Sequence, residues 1–578
     1  IYCDGAEPQC EWCAHRNLHC TYGYSARKTP TMIEAVDQQN NLKVEIEQRF
    51  FRLKELLGNI NPRIDYSFDH EAQDTAIVLQ SISAKPDIPF GGLHFVGRDL
   101  GTVSSQTGIP VFSREVLRWI QSRTGAESLF KQVYQSSISE WEASDLFFSW
   151  SHVDKALPAK DIAMSCLAVF HSSQLRRIFP LVDVTMFENT IYQAYDATAC
   201  DSLAAQQSAR TCVLAFMAAL FIMETDKVPL SFEQASRYAM LARLSLLDCM
   251  TEPSINGLQA ALMLCLYYDW LGNIKYASIV HSLAVRCMYN LGAHVHHELP
   301  SLSTTTTHPR DLFWLCYFWD KHISLRTGQP SSITDSECDL CLGAYNTIGS
   351  MEDSTTPLFP SDLNLTIIKS KVSTMLYSPP ALHMLDSDLL RVVRELDNEL
   401  EEWRLSIPPF VRPQLSMSSV QTAEKLLHRE NGMLIIFIHL EYLYLLSAIH
   451  RACGRCSALS QEPIWPAAVR SSYALSVQAS RSTLIYLQVA YKHMHRGAFW
   501  DMIFYPIWAT VTVFCNILHE PDHNLAQNDM AILESIPHIV REVRVAPLTS
   551  RECCLHQMLD AFIDELVRLA HCAMSKRL

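Results

Sequence analysis

The dominant pattern of the sequence is the recurrence of apolar residues at three- and four-residue spacing from Glu127 onward. Proline and glycine interrupt this pattern at positions that suit helix ends, such as Gly272 and Gly292. The pattern predicts helices at Asp161–Gln174, Ala209–Met223, Phe232–Leu247, Gly257–Trp270, Lys275–Leu291, Ser387–Leu405, Ala423–Cys453, Trp465–His495, Trp500–Leu518, Gln527–Ile536 and Arg551–Ala573. Strand signals are sparse, so we expect an all-α fold built as a bundle of stacked helix pairs.

Two apolar runs, Gly432–Ile449 and Met502–Leu518, approach the length of a membrane span. His439 and Glu441 lie near the centre of the first run, and Pro506 interrupts the second. Charged residues at mid-span are costly in lipid but are tolerated in a protein interior when they have partners. We therefore interpret both runs as buried core helices and expect no membrane association.

The region before Glu127 divides into shorter parts. Residues 25–60 combine a polar linker with a helical pattern in which Ile46, Phe50, Leu53 and Leu57 recur at spacings of four, three and four. This pattern predicts either a short coiled coil for dimerisation or a single amphipathic helix packed on the body. Residues 61–126 are mixed and rich in Ser, Asp, Gly and Pro, which predicts a loosely structured connector with short strands or turns around Pro89–Gly92. Residues 127–578 form the helical body.

Composition narrows the classes of function. The chain has 578 residues, of which 48% are hydrophobic, and this is ample apolar surface for a folded core. Its net charge of −14 argues against nucleic-acid binding by the body, so any DNA contact must be local and N-terminal. No nucleophile elbow, P-loop, dinucleotide fingerprint or H-E-x-x-H motif is present, and we predict that the protein is not an enzyme.

The most specific chemical signal is a group of four cysteines near the amino terminus. Cys3, Cys10, Cys13 and Cys20 follow the spacing C-x6-C-x2-C-x6-C, with Gly5 in the first interval. Thiolates that converge from short, sharply turned segments are typical zinc ligands. Ordinary buried thiols or a disulfide pair are the alternatives, but these cysteines lie among polar residues, and we favour zinc.

This segment resembles the C-terminal two-thirds of the fungal binuclear zinc cluster, the Zn2Cys6 family of transcription factors. The matching positions are Cys3, Asp4, Gly5, Pro8, Cys10, Cys13, Cys20 and Tyr22. The resemblance implies that these cysteines are the third to sixth of the cluster, with Cys10 as a bridging ligand between two zinc ions. The first two cysteines and the basic turn between them would precede Ile1, and the chain as written would hold one zinc ion or none.

In that family, the residues that read bases lie in the half that would precede Ile1. His15, Arg16, Arg27 and Lys28 are the candidates for contacts with DNA phosphates, which position a protein on DNA without specifying its sequence.

A second segment, from Asp311 to Thr334, resembles the closing motif of the regulatory domain of fungal-specific transcription factors. The matching positions are Trp314, Tyr317, Trp319, Asp320, Gly328 and Pro330, while Gln329 stands where the family usually has Arg. With upstream matches at Leu157–Pro158 and Phe179–Asp183, the resemblance covers about residues 157–342. We interpret the aromatic residues as core rather than as a ligand pocket, and Asp320 and Arg326 as a buried or capping pair.

Together, the resemblances imply a nuclear, zinc-dependent regulator of RNA polymerase II genes. The expected partners are double-stranded DNA, a second copy of the chain, and co-regulators or a small-molecule effector acting on the helical body. The alternative is a regulatory protein of the same fold that has lost DNA binding and acts through protein contacts alone.

Overall fold

The computed structural model describes residues 92–576 apart from several internal segments. These are residues 96–97, 105–106, 135–155, 296–307, 343–344, 346–356, 418, 425–431, 457–466 and 545–548.

The described residues form a small sheet followed by many helices. The strands are β1 (Gly92–Phe95), β2 (Arg98–Val103) and β3 (Pro110–Phe112). The helices of the first half are α1 (Arg114–Thr124), α2 (Lys160–Ser172), α3 (Leu175–Ile178), α4 (Val184–Tyr195), α5 (Leu203–Met223), α6 (Phe232–Thr251), α7 (Ile255–Trp270), α8 (Ile274–Asn290) and α9 (His308–Thr327). Those of the second half are α10 (Leu363–Val372), α11 (Pro379–Leu382), α12 (Asp386–Ser406), α13 (Val420–Glu424), α14 (Gly432–Arg451), α15 (Ala467–Ala490), α16 (Phe499–Met502), α17 (Phe504–His519), α18 (Ala526–Val543) and α19 (Ser550–Ser575).

The helices pack as neighbouring pairs, and the prediction of an all-α fold is confirmed. In the first half, α5 packs against α4, α6 and α7, and α7 packs against α8. In the second half, α14 packs against α15, while α17 packs against α15, α18 and α19. Helix α9 contacts α7, α8 and α10, so it lies between the two halves of the bundle.

Local sequence explains where the helices begin and end. Ser231 and Gln234 form a reciprocal capping box at the start of α6, and Thr549 and Glu552 form another at the start of α19. Gly272 and Gly292 both have a φ of +68°, as expected for the left-handed residue that ends a helix.

The predicted helices differ from the observed ones in several places, among them the end of α18, which runs to Val543 rather than ending at Ile536. Helix α5 begins earlier than predicted, at Leu203, because Ser202 caps it. The predicted Trp500–Leu518 helix divides into α16 and α17 at Ile503. Helix α10 was not predicted from the sequence at all.

The described part of the predicted connector is folded rather than loose. Strands β1, β2 and β3 form an antiparallel sheet in that order, and α1 follows directly. The side chain of Ser113 accepts a hydrogen bond from the Val116 N–H and caps α1, whose apolar face is buried. The expectation of a loosely structured connector is therefore wrong for the described residues between 92 and 124, whereas the short strand expected near Gly92 is present as β1. The boundary at residue 126 stays a prediction.

Within the part of the chain that the structure describes, three helical stretches are long and apolar enough to span a membrane by length and composition alone. They are Leu203–Met223, Gly432–Arg455 and Phe499–His519, and between 83% and 94% of the most apolar window of each is buried inside the protein. The interpretation of the Gly432 and Met502 runs as core helices therefore agrees with their burial.

Two tryptophans and two glycines form a reciprocal seam between α7 and the segment around α16. A Cβ atom added to Gly497 would lie 2.6 Å from Cε3 of Trp270, and one added to Gly272 would lie 2.9 Å from Cδ2 of Trp500. Each indole thus packs directly on the backbone of the opposite segment. Because contacts this close leave no room for a methyl group, the seam requires glycine at both positions.

We predict that Gly497→Ala lowers the stability of the protein by about 1–3 kcal/mol, because the new methyl group must displace Trp270 or the carbonyl of Ile222. Thermal denaturation followed by circular dichroism measures the change. Gly432→Ala is the matched control, since among the described residues no atom outside its chain neighbours and its own helix backbone lies within 4 Å of the added Cβ. Equal melting temperatures for the two variants would contradict the seam.

Candidate functional site

All candidate residues near the amino terminus lie outside the described residues. They are the proposed metal ligands Cys3, Cys10, Cys13 and Cys20, the proposed DNA contacts His15, Arg16, Arg27 and Lys28, and the proposed dimerisation residues Ile46, Phe50, Leu53 and Leu57. Their roles stay predictions.

The second resembling segment forms α9, and every residue from Arg310 to Thr327 is buried. Trp314, Tyr317 and Trp319 are at most 1% exposed. Trp319 stacks on Phe179 with ring centroids 6.0 Å apart. The interpretation of these aromatic residues as core is confirmed.

Near the end of α9, Asp320 and Lys321 hold the loop that follows the helix. The Asp320 carboxylate accepts hydrogen bonds from the backbone N–H groups of Ser332 (2.8 Å) and Ile333 (3.2 Å). The Lys321 ammonium donates to the Ile333 carbonyl at 2.6 Å and lies 3.3 Å from Asp320. Ile333 itself is 1% exposed, so this loop is anchored by both charge and apolar burial.

Arg326 does not pair with Asp320, so the expectation of a pair between them is wrong, although both residues are buried. Nη1 of Arg326 lies 2.5 Å from Oδ1 of Asp269 on α7 and 3.0 Å from Oδ1 of Asp501 on α16. Its Nη2 donates to the Trp500 carbonyl at 2.9 Å. One guanidinium therefore joins helices from both halves of the bundle.

His322, one turn before Arg326, completes what we call the central ion cluster: Asp269, His322, Arg326 and Asp501. Nε2 of His322 lies 2.5 Å from Oδ1 of Asp501, and because a carboxylate only accepts, Nε2 carries the proton. Burial, followed by the charge of Arg326, lowers the pKa of His322 to about 3. The imidazole is therefore neutral at physiological pH and acts as a hydrogen-bond donor rather than as a cation.

The carboxylates of the central ion cluster are also perturbed. Burial and the neighbouring charge of Asp501 raise the pKa of Asp269 to about 6, against the opposing effect of Arg326. Burial likewise raises the pKa of Asp501. Oδ2 of Asp269 accepts no hydrogen bond from the described residues. In both cases the charge of Arg326 opposes the effect of burial and favours the ionised carboxylate.

The chemistry of this cluster favours a structural role over a metal site. Asp269, His322 and Asp501 bring potential ligand atoms within 4.8 Å of one another. The guanidinium of Arg326, however, already lies within 3.0 Å of oxygens from both carboxylates and supplies the cation that they need.

A second buried ion pair lies beside the central ion cluster. Lys369 on α10 pairs with Glu441 on α14, and both are at most 1% exposed. The Tyr505 hydroxyl donates to Glu441 at 3.0 Å, and the Ser361 hydroxyl also bonds this carboxylate. Glu441, which made the first apolar run ambiguous in the sequence, thus has the partners that a buried charge requires.

A shallow cavity of about 240 Å³ opens between α9 and α10. Its polar lining consists of Lys321, Ser324, Ser331, Lys369, Ser370, Ser373 and Thr374. Both lysines already pair with carboxylates, and much of this volume is open to solvent, which leaves enclosed room of about 10 Å³, enough for one water molecule at most. We therefore assign no ligand to it.

Sequence reasoning did not identify Asp269, Asp501 or Lys369 as members of a site. Asp269 and Asp501 follow or precede aromatic residues in apolar runs, and a lone charge in such a run was the available signal. Local sequence does not identify Arg326 as the partner of these two carboxylates, because it lies 57 residues from Asp269 and 175 from Asp501.

Comparison with known proteins finds a family model that matches part of this chain. Residues 147–405 match the family described as "Fungal specific transcription factor domain". This region contains Asp269, α9 and Lys369, whereas Glu441 and Asp501 lie beyond its end.

The relatives found by sequence comparison carry the names of transcription factors. The chain is 27% identical over 470 residues to an "ABC-transporter-regulating transcription factor" of Aspergillus fumigatus, covering 75% of this chain and 50% of the relative. It is 26% identical over 519 residues to a protein of the same name from Aspergillus oryzae, covering 82% and 56%. It is 24% identical over 432 residues to the "Fusaridione A cluster transcription factor" of Fusarium heterosporum, covering 73% and 79%.

The chain spans about half the length of the two Aspergillus relatives. These names are those of regulators rather than enzymes, and together with the domain match they support a transcription regulator.

We predict that Arg326→Met destabilises the protein by about 3–5 kcal/mol, because it leaves Asp269 and Asp501 buried without their cation. Thermal and urea denaturation measure the loss. Adding Asp269→Asn and Asp501→Asn should recover part of it, since the orphaned charges are then removed.

The matched control for this prediction is Arg391→Met on α12. Arg391 pairs with Asp388 and Glu395 at the surface, where solvent screens the charges, and we expect no measurable change. A central ion cluster that contributes no more than this exposed pair would produce the same melting temperature for both variants.

The pKa shifts predict opposite pH effects for two further variants. The pKa of His322 is lowered from 6.5 to about 3 on folding, so its contribution to stability is lost as the pH falls below about 6.5. The pKa of Asp269 is raised from 3.8 to about 6, so its contribution is lost as the pH rises through about 6. Between about pH 6.5 and about pH 4.5, Asp269→Asn should therefore steepen the loss of stability on acidification, and His322→Gln should reduce it.

Melting temperatures measured at both pH values for the wild type and the two variants test this expectation. Parallel pH profiles for all three proteins would show that neither group titrates differently in the folded state.

Proposed function

We propose that this protein is a zinc-dependent, sequence-specific DNA-binding regulator of RNA polymerase II transcription that acts in the nucleus. The observation that carries the proposal is the match of residues 147–405 to the fungal specific transcription factor domain, in a chain whose amino-terminal cysteines have zinc-cluster spacing. Two separate parts of the chain thus indicate the same class of protein. A nuclear location follows from that class.

The zinc chemistry would reside in Cys3, Cys10, Cys13 and Cys20. Four thiolates suffice for one tetrahedral zinc ion, and a binuclear cluster requires two more. His15 and Arg16, between the last two cysteines, and Arg27 and Lys28, after them, would contact DNA phosphates. The apolar series of Ile46, Phe50, Leu53 and Leu57 would pair two copies and set the spacing of the half-sites.

The acidic helical body would regulate the output of the DNA-bound protein through co-regulators or a small-molecule effector. Its net charge disfavours direct contact with DNA, so the regulation would act through the connection to the amino-terminal segment. Because two relatives are named as regulators of ABC transporters, transporter genes are the first candidates for its targets.

We predict that the full-length protein binds about two zinc ions per chain through six thiolates, measured by metal analysis of the purified protein. Cys10→Ala should lower the zinc content and abolish binding to promoter DNA, because a bridging thiolate holds both metals. Cys341→Ala is the control, since Cys341 is an exposed free thiol on the body and should leave zinc and DNA binding unchanged.

The outcome also decides between this proposal and the alternative of a regulator without DNA binding. A protein without zinc, or DNA binding that survives Cys10→Ala, would overturn the zinc-dependent mechanism. A folded protein that regulates transcription without contacting DNA would favour the alternative.

A further inference from the structure

The last helix, α19, binds the backbone of residues near the start of the described chain, and we extend the name connector to residue 130 because residues 114–130 dock on α19 together. Oε1 of Glu565 accepts a hydrogen bond from the Leu129 N–H at 2.7 Å. Nη2 of Arg568 donates to the Glu127 carbonyl at 2.9 Å, and the same guanidinium pairs with Glu565. The bound groups lie 436 to 441 residues away in sequence, so the two ends of the described chain meet here.

Directly after α19, Lys576 donates from Nζ to the Ser122 carbonyl at 2.8 Å. Ser122 lies in the last turn of α1, where carbonyl groups lack helical partners and a cation interacts favourably with the helix dipole. We call Glu565, Arg568 and Lys576 the clasp. All three side chains bind main-chain atoms of the connector, so these contacts depend on the position of the connector's backbone and not on the identity of its side chains.

An aromatic cluster reinforces the clasp. Phe562 of α19 packs against Phe130 and Phe112 of the connector, with ring centroids 5.5 and 5.9 Å apart. Phe112 and Phe130 contact each other at 4.9 Å in an edge-to-face arrangement. All are buried, so the connector is docked on α19 by apolar packing as well as by hydrogen bonds.

The opposite end of α19 contacts α16, the helix that carries Asp501 of the central ion cluster. Glu552 accepts a hydrogen bond from Nε1 of Trp500 at 3.2 Å, and the His556 ring stacks on Trp500 at 4.9 Å. The carbonyl of Trp500 in turn accepts from Arg326. With 26 residues, α19 is about 39 Å long, and it joins this contact to the clasp as one rigid element.

We propose that α19 is the control element through which the helical body acts on the connector, and so on the segment that leads to the amino-terminal cysteines. The clasp end fixes residues 114–130 on the body. The other end contacts Trp500, whose carbonyl is bound by Arg326 of the central ion cluster. A change at the cluster would shift α19 and loosen or tighten the connector. The docking of the connector does not depend on the proposed function, but its consequence for DNA binding rests on it.

Hydrogen exchange of the full chain, followed by mass spectrometry, tests the clasp. We expect Arg568→Met and Glu565→Gln to increase amide exchange in residues 114–130 by about five- to tenfold, since each removes one hydrogen bond or charge from the clasp. Exchange in α5 and α7, which do not touch the clasp, should stay unchanged. Asp564→Ala is the matched control, because Asp564 pairs with Arg541 on α18 and neighbours Glu565 in sequence.

Two results would overturn the clasp. One is unchanged exchange in residues 114–130 for both variants. The other is an equal increase for Asp564→Ala. Glu565→Gln retains an acceptor oxygen and nearly the same volume, so it keeps the test valid if Arg568→Met folds poorly.

A variant in the central ion cluster, which lies beyond the opposite end of α19, tests the transmission. Arg326→Lys keeps the positive charge but cannot bridge Asp269, Asp501 and the Trp500 carbonyl together. We expect exchange in residues 114–130 to rise at least about twofold relative to exchange in α5, because α19 carries the disturbance to the connector. A rise confined to α7, α9 and α16 would overturn the transmission.

DNA binding by the full-length protein separates this inference from the proposed function. Clasp variants that release the connector should change promoter affinity or output at unchanged zinc content. A released connector with unaltered DNA binding and output would overturn the control role and leave the proposed function intact. A full-length wild type that binds neither zinc nor DNA would overturn the proposed function, while the exchange results would still decide the docking of the connector.

Discussion

The packing in the middle of this bundle depends on the buried positive charge of Arg326. Arg326 is only 6% exposed, and a guanidinium at such a position must find its anions inside the protein. Asp269 and Asp501 supply them from α7 and α16, and the Trp500 carbonyl takes a further donor. Because these groups satisfy Arg326 only at short distances and in fixed directions, the arrangement fixes how α9 sits between the two halves.

Much of the fold was predictable from the helical spacing of apolar residues. Contacts between residues that are distant in sequence were not predictable in this way. The long apolar helices, such as α5 and α7, follow from the spacing of their side chains, and Gly272 marks the end of α7 as expected. Helix α10 was not predicted, because a lysine such as Lys369 indicates an exposed position unless its buried partner, Glu441, is known. The β1–β3 sheet was expected only as short strands or turns near Gly92, because such short strands are stable only when they pack on other elements.

The same limit applies to the candidate site. The segment around α9 could be recognised, and its aromatic residues were correctly interpreted as core. The partner of Arg326 could not be inferred, since Asp320 is closer in sequence but is taken by the backbone of Ser332 and Ile333. Local sequence predicts which residues are buried, whereas the choice among several buried charges depends on the three-dimensional path of the chain. The family match ends at residue 405, before two of the carboxylates that balance its buried cations.

The reciprocal packing of Trp270 on Gly497 and of Trp500 on Gly272 has a consequence for how this protein can change over evolutionary time. Each glycine is close to a bulky ring that fills the space a side chain would need. A substitution at one member of such a pair is accommodated only if the other member shrinks or moves. We therefore expect the two residues of each Trp–Gly pair to change together across descendants of this sequence, because each residue restricts the substitutions that its partner can accept.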